Sequence, residues 1–199
     1  MIKSIYEELI GLIDEEINKH PWKLTDKFAN IRKIQIDQRG RVGEKFFTTI
    51  FKELNKEVIY QQDGFGDWDM VVDGIKIEIK TATLDVSNKF QHEGIKENKS
   101  WDVIAFLDIA PNDLYISFIH KDDFKFGLQK VKNDLVIKYG TVKINGKIQN
   151  IHFRGKEQTS KRATGSGYKV DFKLEDLKIT RTLKDIENIY EQAIKEKPH

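Results

Sequence analysis

Asp67-Trp68-Asp69-Met70-Val71-Val72-Asp73-Gly74-Ile75-Lys76-Ile77-Glu78-Ile79-Lys80 is the run on which the fold reading turns. An Asp-Gly pair between β-branched residues predicts a two-residue hairpin, because both positions of a type I′ turn need positive φ. In that register Val72 faces Ile75, Val71 faces Lys76, Met70 faces Ile77 and Asp69 faces Glu78. Side chains alternate along each strand, so Met70, Val72, Ile75, Ile77 and Ile79 share one apolar face. Asp69, Val71, Lys76, Glu78 and Lys80 share the other.

The polar face raises a physical problem. Directly opposed Asp69 and Glu78 would have Cβ atoms roughly 5 Å apart, and like charges so placed destabilise a bare sheet. A cation between them removes the conflict. Hard carboxylate oxygens suit Mg²⁺, which takes one or two carboxylates and keeps several waters. Asp69 and Glu78 are therefore the candidate metal ligands, and the cofactor expected is Mg²⁺. Lys80 lies about 7 Å further along the same face, placed to orient or deprotonate a water that attacks a phosphodiester. A one-residue slip or a bulge would exchange the faces, so the register favours Asp69 over Asp67 without excluding Asp67.

Working outward, helical spacing of apolar residues marks residues 2–17, about 38–54 and about 183–195. The second helix carries Val42, Phe46, Phe47, Ile50, Phe51 and Leu54, with Glu44 at the border of that arc, where it can reach the sheet edge. The third uses Leu183, Ile186, Ile189, Tyr190 and Ile194. Strands are expected at 70–72, 75–79, 103–109 and 114–119, and Asn145-Gly146 predicts a second hairpin joining 141–144 to 147–153. No repeat or linker divides the chain. The fold expected is a single α/β domain with a mixed central sheet flanked by helices, its catalytic core at about 38–125 and a DNA-recognition hairpin and loop at about 141–170.

The chain has no cysteine, which excludes disulfides, zinc fingers, thiol nucleophiles and iron–sulfur sites. No apolar run approaches a membrane span and the start is not that of a signal peptide, so a cytoplasmic protein is expected. Net charge is 34 − 32 = +2, but residues 143–169 hold seven basic side chains against Glu157 alone, leaving the remainder acidic. A local basic stretch of this kind suits a polyanion, since phosphate neutralisation and counterion release drive binding. Within it Arg154, Gln158 and Arg162 have the chemistry to read base edges, and Lys156 and Lys161 to hold phosphates. Arg39 and Arg41, just before Glu44, and Gln91 and His92, soon after Lys80, are further candidate DNA contacts. The histidines show no metal-ligand spacing, and no phosphate-binding glycine loop or Ser/His/Asp arrangement is present.

Asp69 followed across a hairpin by Glu78-Ile79-Lys80 resembles the signature of the PD-(D/E)xK nuclease superfamily, with Trp68 where a proline usually precedes the aspartate. An acid-x-Lys triplet alone is cheap, since Glu97-Asn98-Lys99 and Asp171-Phe172-Lys173 also fit it. Only Glu78-Ile79-Lys80 ends a β-branched strand opposite an aspartate, after a helix carrying an inward acid. The resemblance runs from about Arg39 to Phe124, and its downstream part is similar to type II restriction endonucleases. It implies a restriction-endonuclease-like fold, a Glu44 that assists beside the metal, and Mg²⁺-dependent hydrolysis of double-stranded DNA at a specific sequence, leaving a 5′ phosphate. Residues 103–119 would then be scaffold, and cutting both strands of a palindrome would call for a homodimer. A structure-specific repair or junction nuclease and a non-catalytic DNA-binding protein are the alternative readings.

Overall fold

The computed structural model describes residues 5–60, 66–130, 136–154 and 167–195. Helix α1 spans Ile5–Asn18, α2 Ile36–Glu53 and α3 Leu183–Lys195; the strands are β1 Val58–Tyr60, β2 Met70–Val72, β3 Ile75–Thr83, β4 Lys89–Ile95, β5 Val103–Ile109, β6 Leu114–His120, β7 Phe124–Lys130, β8 Val136–Ile144, β9 Lys147–Arg154, β10 Gly167–Lys173 and β11 Ile179–Thr180. They form a mixed α/β structure with two sheets. The first has the order β1-β2-β3-β5-β6-β11, and the second β4-β10-β9-β8-β7. Both hairpin turns are of the expected type, with positive φ at Asp73 and Gly74 and at Asn145 and Gly146. The pairs Met70–Ile77, Val71–Lys76 and Val72–Ile75 stand in the anticipated register.

The first sheet is mixed because β3 and β5 run parallel while its other pairings are antiparallel. On one face Ile77, Ile79 and Phe118 meet α2 and α3. Phe47 lies 5.5 Å from Phe118 between ring centroids, Phe51 lies 4.9 Å from Tyr190, and the Tyr190 hydroxyl donates to the Val72 carbonyl at 3.3 Å. Helices were expected on both faces. The opposite face is instead covered by the second sheet, whose His92 and Phe172 sit 4.7 and 4.9 Å from Phe106. That sheet includes β4, from the 38–125 segment, beside β10 and β9, so the two segments expected as core and recognition unit share one hydrophobic interior.

His92 is a core residue, not a DNA contact. Its Nε2 and Asp108 Oδ1 are 2.7 Å apart with both side chains buried, and this polar bridge ties the sheets together where apolar packing would otherwise be continuous. Burial pushes the Asp108 carboxyl up, while the adjacent histidine opposes that shift.

The helical stripes are partly revised. Phe47 and Phe51 of α2 and Ile186 and Tyr190 of α3 are buried, whereas Val42 and Leu183 remain about 40% exposed. Helix α1 forms as its periodicity predicts, but Leu9, Ile10, Leu12, Ile13 and Ile17 are about half exposed. After it the chain is fastened through the buried Trp22, whose indole N–H donates to the Leu84 carbonyl at 2.9 Å. No described helix is long and apolar enough to cross a membrane.

Gly43 sets the depth of α2 on the sheet. A Cβ there would run into Thr81 Oγ1 and approach Ile79, so only glycine allows the helix this close to β3. Gly43→Ala should cost about 1–3 kcal/mol by overpacking, and adding Thr81→Ala should restore most of it. Urea unfolding of the single and double variants checks this, and a fully stable Gly43→Ala would contradict the close approach.

Candidate active site

The site grows from the end of the β2–β3 ladder. Pairing stops at Met70–Ile77, and the Asp69 amide donates to the Ile77 carbonyl at 2.9 Å. Asp69 Oδ2 then accepts the Ile79 amide at 2.6 Å, so the carboxylate caps the frayed hairpin and is held against β3. Asp67 goes elsewhere. Its Oδ2 accepts the Ser100 amide and hydroxyl at 3.2 and 2.7 Å, and these bonds hold its carboxyl below the usual range. The structure thus brings Asp69, rather than Asp67, into the field of Glu78.

Glu78 points toward the second sheet and is only 4% exposed. A carboxylate so buried needs charge partners, and it has two. Lys80 Nζ donates to Oε1 at 2.6 Å and Lys99 Nζ to Oε2 at 3.2 Å. Lys80 reaches it because residues two apart on a strand share a face. Lys99 is not part of the hairpin. Its turn is pinned by the Ser100–Asp67 bonds, by the Trp101 indole donating to the Lys96 carbonyl, and by Lys121 Nζ donating to the Lys99 carbonyl.

Glu44 enters from α2. The Tyr60 hydroxyl donates to Glu44 Oε2 at 2.6 Å, and Tyr60 is set there by the pairing of β1 with β2, opposite Met70. That hydrogen bond, with burial, pushes the Tyr60 phenol up to about 12. Burial, then the Glu78 charge and to a smaller extent that of Glu44, push the Asp69 carboxyl up to about 6 against the pull of the Ile79 amide and Lys80. Three carboxylates therefore act on one place. Among the described residues no three metal-ligating side chains are already gathered around one point. Asp69 and Glu78 are the hard oxygen donors that would hold a divalent cation here, and Asp69 resists ionisation chiefly because it is buried beside the Glu78 charge.

The other candidate residues divide. Arg41 is exposed, lies 4.0 Å from the Asp37 carboxylate one turn back on α2, and its charge weakly opposes the rise of the Tyr60 pKa. Arg39 is engaged internally, donating to the Ile34 and Arg32 carbonyls and to Thr83 Oγ1 at 3.2, 3.4 and 3.3 Å. Gln91 is exposed on β4, bonded to Asp85 Oδ2 at 2.8 Å and Lys169 Nζ at 2.9 Å. Arg154 ends β9, its backbone opposite Gly167, and its side chain lies outside what the structure describes. Lys156, Gln158, Lys161 and Arg162 lie outside the described residues. Gly167 presses on Gly94, since a Cβ at 167 would fall within 2.8 Å of the Gly94 backbone, so β10 starts against the end of β4, the strand that precedes Lys99. Sequence reading missed Lys99 and Tyr60. Tyr60 had a faint signal as an aromatic in a short β-branched run, and Lys99 showed only as the end of Glu97-Asn98-Lys99, a triplet set aside for its context.

Since the Asp69 carboxyl rises from 3.8 to about 6 on folding, its ionised form destabilises the metal-free fold. That penalty is absent below about pH 4, develops between about pH 4 and 6, and is complete above. Asp69→Asn should therefore stabilise the metal-free protein at pH 7 by about 1–2 kcal/mol after solvent screening, with the gain vanishing near pH 4. Urea unfolding in EDTA at both pH values checks it, and a less stable variant at pH 7 would contradict the assignment. No protein-family model, no curated protein and no solved structure matches this chain, so the site is read from its own chemistry.

Proposed function

We propose that the chain is a Mg²⁺-dependent deoxyribonuclease of restriction-endonuclease-like fold that hydrolyses double-stranded DNA at a specific sequence. The observation that carries this reading is the convergence of Asp69, Glu78 and Lys80 at one end of a hairpin, with the Glu44 charge felt at Asp69. The PD-(D/E)xK resemblance assigns those positions to metal binding and catalysis. The interior position of β5 and β6 beside β3 supports reading residues 103–119 as scaffold.

Asp69 and Glu78 would hold the cation, which when bound supplies charge stabilisation to the phosphate undergoing displacement. Lys80, fixed by Glu78, orients the attacking water and offsets negative charge developing on the phosphate. Glu44, held by Tyr60, adds negative potential that favours a cation at Asp69. The basic segment 143–169 would supply phosphate affinity, and Gly167 within it lies against Gly94 in β4, the strand that leads on to Lys99. A homodimer would follow if the target is a palindrome cut on both strands.

Incubation of the purified protein with unmethylated phage DNA, in Mg²⁺ or EDTA, beside Lys80→Ala tests the reading. Discrete fragments that require Mg²⁺ are expected, with cleavage reduced at least about 100-fold in Lys80→Ala. A smear would favour a repair or junction nuclease. DNA left intact but bound equally well by both proteins would overturn the enzymatic reading.

A further inference from the structure

We infer that Lys99 is a resident counter-cation that occupies, in the DNA-free protein, the Glu78 oxygen a divalent metal would take, so that metal loading requires its displacement. The inference deepens the nuclease reading and rests on it. Glu78 presents two oxygens, and each is held by a different ammonium, Oε1 by Lys80 at 2.6 Å and Oε2 by Lys99 at 3.2 Å. The two lysines are not equivalent. Lys80 is two residues from Glu78 on one strand and shares its face whatever else happens. Lys99 comes from the return connection between β4 and β5, and the longer contact is its own.

That connection is fastened at several points independent of Glu78. Ser100 bonds Asp67, the Trp101 indole bonds the Lys96 carbonyl, and the Lys99 carbonyl accepts from Lys121 Nζ. The backbone therefore stays in place when the ammonium leaves, and only a four-carbon side chain must swing away. The Lys99 side chain is about one-quarter exposed, so its path to solvent is open, whereas Glu78 is almost wholly buried. A buried carboxylate cannot be left without a partner. A cation that can be exchanged for a metal ion keeps Glu78 ionised and in position in the meantime. Because ammonium and metal compete for one oxygen, removing the ammonium must raise metal affinity by the same coupling free energy that the metal spends in displacing it.

The test is Mn²⁺ binding to the DNA-free protein, followed by electron paramagnetic resonance of the free ion. Lys99→Met should bind Mn²⁺ about tenfold or more tightly than wild type. Adding Glu78→Gln to Lys99→Met should abolish the gain. Lys99→Gln, measured in parallel with circular dichroism of all variants, should show the same gain and serves if the Met variant fails to fold. Lys99→Arg, which keeps the charge, should bind as wild type does. Lys96→Met removes a neighbouring charge that does not touch Glu78 and should change affinity less than threefold. An equal gain in Lys96→Met, or unchanged or weaker Mn²⁺ binding in both Lys99 variants of a protein that still cleaves DNA, overturns the inference alone. No Mn²⁺ binding by any variant together with no Mg²⁺-dependent cleavage overturns the nuclease reading, and the inference with it.

Discussion

A carboxylate withdrawn from water must find positive charge, and the Glu78 side chain between the two sheets is the group that imposes this on the molecule. Its isolation would cost several kcal/mol. Lys80 meets part of the need from the same strand. The remainder follows from topology. Strands β3 and β5 are parallel neighbours, so the chain must leave the sheet after Thr83 and return before Val103. It leaves through β4, an edge strand of the second sheet, and the return leg delivers Lys99 to the free oxygen of Glu78. One crossover thus completes the packing of both sheets and neutralises the buried acid.

The same crossover connects the site with the most basic part of the sequence. Gly94, at the end of β4, has positive φ and lies against Gly167 at the start of β10, a contact that any side chain at 167 would block. Strand β9 ends opposite at Arg154. Arg154 and Gly167 therefore stand beside the end of β4, and the chain runs on from there to Lys99 and its contact with Glu78.

Much of this could be read from local sequence. Asp73-Gly74 and Asn145-Gly146 admit few other conformations, and alternation from Met70 to Ile79 follows directly once the first turn is placed. Residues 103–109 are apolar at nearly every position because both faces of β5 are covered. The strands that were missed make up much of the second sheet. Strand β4 hides its alternation by using His92 as a core residue, and β10 alternates Tyr168, Val170 and Phe172 with charged residues beside a glycine-rich run that resembles a loop. Strand β1 is three residues long, too short for periodicity to register. Expecting helices on both faces failed for the same reason, since without β4, β7 and β10 nothing else was available to cover the inner face. Within the site, Asp69, Glu78, Lys80 and Glu44 were visible because hairpin and helix geometry are local. Tyr60 and Lys99 act through tertiary contacts that local spacing does not encode.

Asp69 and Glu78 are proposed to form a cation site that serves DNA cleavage. The most direct measurement is a crystal structure of the protein with Mn²⁺ and a DNA duplex, read by the anomalous signal of the metal. An anomalous peak bonded to oxygens of both Asp69 and Glu78 is expected, with Lys80 Nζ beside a backbone phosphate. A peak at other residues, or DNA bound with its phosphates remote from Lys80, would contradict it.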